Sequence, residues 1–175
     1  MHPVTPPSRP QQRAELRGAL RANSEALLAY FERRVSPRED AADLLGDTML
    51  HVWRRRRDLP PGDATQQRMW LFTIAGRVLA NHRRSSRRRL ALTERLRTHL
   101  TDAGAVPDPT EANAVRDAVL RLPPRHREIV TLVHWDGFTL AEAAEVLGLN
   151  QSTARSRYAA ARTKLKNALM EPSRT

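Results

Sequence analysis

The chain contains no cysteine, which excludes disulfides, thiolate metal sites and thiol redox switches within it. No apolar run approaches the ~20 residues needed to span a bilayer. The start, Met1-His2-Pro3-Val4-Thr5-Pro6-Pro7, lacks the charged-then-apolar order of a signal peptide. A cytoplasmic location is therefore expected. The six histidines (His2, His51, His82, His99, His126 and His134) are dispersed without metal-ligand spacing, so neither a bound metal nor a cofactor is expected. Strand-like alternation persists nowhere, and no internal repeat is present. There is no phosphate-cradling glycine loop, no nucleophile beside its base, and no acidic metal cluster outside one helix. These absences describe a helical binding protein rather than an enzyme.

Acidic residues are also in short supply: 19 Asp+Glu stand against 30 Lys+Arg, a formal net charge of +11. That balance favours a polyanionic partner, with nucleic acid ahead of an anionic membrane. At 175 residues the chain fits one domain or two small ones.

The pattern predicts an all-α chain in two small helical lobes joined by a flexible linker. Residues 1–12 read as a disordered tail, because closely spaced prolines oppose a helix. The first lobe spans 13–92. Its first helix has Leu16, Leu20, Leu27, Leu28, Phe31 and Val35 on the apolar side, with Ser24 as an internal N-cap. Ser36-Pro37-Arg38-Glu39 predicts a second helix start, with Ser as cap and Pro at the first position. That helix places Ala41, Leu45, Met49, Val52 and Trp53 on one face, Trp53 as a core anchor. It ends in Arg54-Arg55-Arg56-Arg57, cations that suit the negative end of a helix dipole. Leu59-Pro60-Pro61-Gly62 is a break. Asp63 and Gln66 then cap a third helix with Trp70, Leu71, Ile74, Ala75 and Val78 apolar, running into Arg83-Arg84-Ser85-Ser86-Arg87-Arg88-Arg89.

Residues 93–110 read as a linker, partly helical at first and ending in the cap Asp108-Pro109-Thr110-Glu111. The second lobe, 111–170, begins with a helix carrying Val115, Val119 and Leu122. Pro123-Pro124 ends it, and Ile129, Val130, Leu132 and Val133 mark the next. A helix-turn-helix follows. Thr139 and Glu142 form a capping box, and Leu140, Ala143, Ala144 and Leu147 give one apolar face. Gly148 ends that helix in the left-handed conformation, Leu149 fills the turn, and Asn150 caps the next helix. The last helix turns Ala154, Tyr158, Ala161, Leu165 and Leu169 inward. Ser152, Thr153, Arg155, Arg157 and Arg162 are left for outside contacts, an arrangement that the DNA major groove accepts.

Two blocks carry a family likeness. One is Arg38-Glu39-Asp40-Ala41-Ala42-Asp43-Leu44-Leu45-Gly46-Asp47-Thr48-Met49-Leu50-His51-Val52-Trp53, followed by Trp70-Leu71-Phe72-Thr73-Ile74-Ala75 and Asn81-His82-Arg83-Arg84. The other begins at Leu120-Arg121-Leu122-Pro123-Pro124-Arg125-His126-Arg127-Glu128 and includes the helix-turn-helix. In this order they resemble the extracytoplasmic-function class of bacterial RNA polymerase sigma factors, over roughly residues 25–169. The resemblance implies that the first lobe docks on the β′ clamp of core RNA polymerase through Asp40, Asp43, Leu44, Asp47 and Met49. It implies that Trp70, Arg77, Asn81, Arg83, Arg84, Arg87 and Arg88 meet the melted minus-10 promoter strand. The second lobe would read the minus-35 duplex through Ser152, Thr153 and Arg155, with Arg157 and Arg162 as phosphate clamps. Family analogy further implies an anti-sigma partner, which no residue here reveals. The chain departs from the family pattern at Ala42, Gly46, Gln67, Arg77 and Asn81. A stand-alone helix-turn-helix regulator is the alternative reading, although neither a heptad seam nor a ligand-domain pattern accompanies it.

Overall fold

Seven α-helices and no strand make up the residues that the computed structural model describes, 9–96 and 111–170. In chain order they are α1 (Arg9–Glu32), α2 (Asp40–Arg54), α3 (Ala64–Leu96), α4 (Glu111–Arg121), α5 (Pro124–His134), α6 (Leu140–Val146) and α7 (Gln151–Met170), with a 3-10 turn at Arg56–Asp58 between α2 and α3. Contacts divide the chain after Leu92 into two units. The fold is all-α, as expected.

In the first unit, α1 packs against α2, and Leu16, Leu27, Phe31, Val52, Leu71, Phe72 and Ala75 are fully buried. Each large side chain among them contributes roughly 1.5–3 kcal/mol by leaving water. Tyr30 meets Phe31 and Phe72 edge-on, at 5.2 and 5.4 Å between ring centres, and so joins α1 to α3. Buried polar groups are matched. Thr48 Oγ1 donates to the Leu44 carbonyl at 2.7 Å. Asn23 donates to the Ala19 carbonyl at 2.8 Å and accepts from Arg68 at 3.3 Å. Unpaired, such groups would each cost about 1–3 kcal/mol.

Helix starts differ from expectation in several places. Asp63 does cap α3, accepting from the N–H groups of Thr65 (2.8 Å) and Gln66 (3.2 Å). Ser36 does not cap α2. The helix begins only at Asp40, and the N–H groups of Asp40 and Ala41 bond to the carbonyls of Pro37 and Arg38 instead, so no side-chain acceptor is required there. Ser24 does not interrupt α1; its hydroxyl faces the Arg21 carbonyl at 3.4 Å, one turn back. The helix already begins at Arg9, inside the segment read as a tail, with Pro10 in its first turn, where a missing N–H leaves no hydrogen bond unmade. Helix α3 continues through Leu96. The rest of the predicted linker and the Asp108-Pro109-Thr110 cap lie outside the described residues.

The buried face of α2 is also rotated. It consists of Ala41, Leu44, Thr48 and Val52, while Leu45 and Met49 are half-buried. Trp53, expected in the core, is 40% exposed, with the guanidinium groups of Arg13 and Arg56 lying over its ring at 5.9 and 5.6 Å.

In the second unit α7 packs against α4, α5 and α6. Ala154 and Ala161 are fully buried on it, and Ile129, Val130 and Leu132 of α5 complete the core with Leu122, Phe138, Ala143 and Ala144. Alanine on α7 lets the helices approach closely. Arg127 sends its guanidinium back to the Leu120 and Leu122 carbonyls, satisfying acceptors that the end of α4 leaves open. Two expected core positions are instead exposed, Val115 at 40% and Leu169 at 47%.

Candidate nucleic-acid interface

The turn between α6 and α7 is held by side chains acting on neighbouring backbone. Thr139 Oγ1 accepts from the Glu142 N–H at 3.2 Å, and the Glu142 carboxylate accepts from the Thr139 N–H at 2.7 Å. Gly148 adopts φ 63°, a conformation that L-residues enter only with strain. The N–H of Leu149 closes the turn on the Ala144 carbonyl at 2.8 Å. Asn150 Oδ1 then accepts from the Thr153 N–H at 2.8 Å and from the Ser152 hydroxyl at 2.9 Å. The start of α7 is thus fixed within a few residues of the side chains it presents.

Ser152, Arg155 and Arg162 are exposed on α7, whereas Thr153 and Arg157 are half-buried. Helical spacing adds Ser156, Ala159 and Thr163 to the exposed face. These three were not among the residues expected at the interface, although Ser156 lies one turn beyond Ser152 and so shares its face. Small side chains beside Arg155 leave room for base edges to approach. In the same unit His126 is buried, and its Nδ1, like Arg127 Nε, has no hydrogen-bond partner among the described residues. Loss of hydration, reinforced by the charges of Arg125, Lys164 and Arg157, holds its pKa below the ordinary value.

On α3 the sequence-predicted residues separate into two sets. Trp70, Arg77, Asn81, Arg84 and Arg88 follow one another at steps of seven, four, three and four residues, so they form one stripe along the helix. Arg77, Asn81, Arg84 and Arg88 are exposed and Trp70 is half-buried. Arg84 donates to Asn81 Oδ1 within that stripe. Arg83 and Arg87 point away from it by the same geometry. The opposite side of α3 carries Leu71, Ala75 and Val78 into the core.

The outer face of α2 exposes Asp43 and Asp47, with Asp40 half-exposed and its carboxylate 3.5 Å from His82 Nε2. Leu44 is not on this face; at 4% exposure it belongs to the core, because α2 turns it toward α1 together with Ala41 and Thr48. Met49 is half-buried. Beside the acids lie two exposed apolar side chains, Leu50 at 56% and Trp53 at 40%, which the expected face had omitted or buried. An acidic strip flanked by apolar groups suits a protein partner with basic and apolar surface.

Both regions match known families. Residues 19–89 match the model for Sigma-70 region 2, and residues 112–165 match that for Sigma-70, region 4. The ECF RNA polymerase sigma factor BldN of Streptomyces coelicolor is 35% identical over 153 residues, covering 80% of this chain but 55% of BldN. The RNA polymerase sigma factor CarQ of Myxococcus xanthus is 35% identical over 145 residues, covering 81% of this chain and 82% of CarQ. The chain belongs to the extracytoplasmic-function class of RNA polymerase sigma factors. A chain in the co-crystal structure of the sigma factor RpoE with the anti-sigma factor NepR from Bartonella quintana shares the fold of this sigma factor. That likeness has a TM-score of 0.66 at 24% identity and covers 90% of this chain and 99% of that one. The α2 face and the α3 stripe of this sigma factor fall inside its region 2 match, and the exposed face of α7 falls inside its region 4 match. Among the described residues no helix is long and apolar enough to cross a membrane.

Proposed function

We propose that this sigma factor is a dissociable, non-catalytic subunit that works in the cytoplasm and directs core RNA polymerase to a small set of promoters. The single observation that carries the reading is the exposed face Ser152-Arg155-Ser156-Ala159 on α7, set behind a doubly capped turn in a chain that also bears a region 2 match. Duplex readout by this face at the minus-35 element places the complex. Arg162 and the half-buried Arg157 add phosphate contacts, which fix register without reading sequence. Asp40, Asp43 and Asp47, with Met49 and Leu50 beside them, dock on the β′ clamp.

The α3 stripe of Trp70, Arg77, Asn81, Arg84 and Arg88 meets the melted minus-10 strand, and Arg83 and Arg87, one turn apart on a neighbouring face, reach its phosphates. Capture of unstacked bases offsets an opening cost of a few kcal/mol, so promoter melting draws on binding alone. An anti-sigma partner that covers one of these faces fits the same reading, since RpoE of Bartonella quintana is bound by one.

Run-off transcription on genomic fragments, with purified core polymerase and with or without this protein, tests the proposal. Discrete transcripts that require both components support it. A sequence-specific footprint by the protein alone, with no transcript from any fragment, replaces it with a stand-alone regulator.

A further inference from the structure

Arg13 walls two adjoining depressions on the first unit. One is a groove of about 390 Å³ along α1, lined by Pro10, Arg13, Ala14 and Arg17. The other is a crevice of about 80 Å³ between α1 and the 3-10 turn that follows α2, lined by Gln12, Arg13, Arg56 and Arg57. Open to solvent on one side, the crevice has room for one tetrahedral oxyanion. Arg13, Arg17 and Arg57 are exposed, and among the described residues no carboxylate pairs with them. The nearby acid Asp58 is engaged by Arg55 at 3.0 Å.

Trp53 organises the centre of this patch. The guanidinium groups of Arg13 and Arg56 both lie over its half-exposed ring, and Arg56 also donates to the Trp53 carbonyl at 3.2 Å. Stacking on indole restrains two side chains that would otherwise lose conformational freedom on binding. Guanidinium forks match phosphate oxygens in pairs. None of these residues belongs to the α3 stripe or to α7.

We propose that Arg13, Arg17, Arg56 and Arg57, ordered by Trp53, form a separate phosphate-binding site for a nucleic-acid strand. The backbone runs along the α1 groove with one phosphate seated in the crevice. The spread of Arg13, Arg17, Arg56 and Arg57 over two adjoining depressions favours an extended polyanion over a single ion. The choice of nucleic acid rests on the promoter-directed function proposed above.

The test uses the full chain and a fluorescent oligothymidylate, with anisotropy measured across a KCl titration and without polymerase. Each phosphate contact on a single strand contributes about 0.7 to the slope of log affinity against log salt. The pair Arg13→Ala/Arg57→Ala is expected to flatten that slope by about 1.4, and Arg13→Lys/Arg57→Lys to retain it. Trp53→Leu is expected to lower affinity several-fold at an unchanged slope, since it positions charges without carrying one. Circular dichroism verifies that each variant remains helical. A slope in the alanine pair equal to that of the parent protein overturns the site. So does competition by tripolyphosphate that depends on the arginine pair while oligothymidylate binding does not, an outcome that assigns the crevice to a free anion. Failure of run-off transcription would strike the promoter-specificity reading and leave these slopes untouched.

Discussion

His134 Nε2 and the Tyr158 hydroxyl lie 2.8 Å apart, and the two rings stack at 5.9 Å with an 18° tilt. The contact fastens the end of α5 to α7. Tyr158→Phe preserves the stacking and removes only the hydroxyl. It is expected to reduce the stability of the C-terminal unit by about 0.5–1.5 kcal/mol. Denaturant titration of the full chain, followed through the Trp135 indole resonance beside His134, gives the measurement; an unshifted midpoint refutes the expectation.

His126 makes the same unit sensitive to acid. Its folded-state pKa lies below the ordinary value of 6.5, chiefly because burial strips water from the ring, with Arg125, Lys164 and Arg157 acting in the same direction. The unfolded chain therefore binds the proton more readily than the folded one. Stability from the neutral imidazole is complete above pH 6.5 and declines as pH falls through that value toward the folded pKa. Unfolding midpoints measured across this window are expected to drop less steeply in His126→Leu. Parallel pH profiles for the two proteins would show that another group is responsible.

Two glycines should respond in opposite directions to alanine. Gly148 has φ 63°, although a Cβ there would meet no atom within 4 Å, so the penalty of Gly148→Ala is one of backbone strain, about 1–2 kcal/mol. Gly46 lies within α2 and also has open space around a Cβ. Gly46→Ala is expected to stabilise the first unit by roughly 0.5–1 kcal/mol. Melting curves of the two variants decide the matter, and equal shifts of one sign contradict the assignment.

Reversing the acids on α2 tests the docking face. Asp43→Arg/Asp47→Arg is expected to weaken association with core polymerase while leaving melting nearly unchanged, because both side chains are exposed. Co-purification of the variant with polymerase at the level of the parent protein removes this face from the interface.

Arg155 offers the corresponding test on α7. If it meets a guanine edge with both prongs of its guanidinium, Arg155→Ala costs about 1–3 kcal/mol in upstream-element binding and relaxes preference at one base pair. Unaltered affinity and promoter choice would place the reading face elsewhere on the helix.

The turn before α7 was legible in the sequence because every device in it is local. Thr139, Glu142, Gly148 and Asn150 act on backbone within a few residues, so spacing alone discloses them. The face of α2 was not legible to the same degree. Periodicity favoured Leu45, Met49 and Trp53, yet the core takes Leu44 and Thr48. Thr48 can be buried because its hydroxyl bonds to the Leu44 carbonyl within the helix, which hides its polarity from the core. Trp53 can remain outside because Arg13, forty positions earlier in the chain, covers part of its ring. Pairings across that distance leave no trace in local spacing. Of the residues assigned to DNA, the exposed stripe on α3 gathers Arg77, Asn81, Arg84 and Arg88, whereas Arg83 and Arg87 entered the set through the family likeness and the arginine cluster beside it, not through a shared face. Ser156 was readable by helical geometry and was overlooked because serine carries little chemical signal.

Helix α3 continues unbroken from Ala64 to Leu96, but no described side chain beyond Leu79 is buried. Its first half is committed to the core, while the described side chains of its second half lie at the surface, with His82 against the Asp40 carboxylate. Substitutions among Asn81, Arg84, Arg87 and Arg88 can thus accumulate almost without penalty to folding. Divergence between duplicated copies of such a gene has, in that half-helix, a surface that can change while the scaffold stays intact.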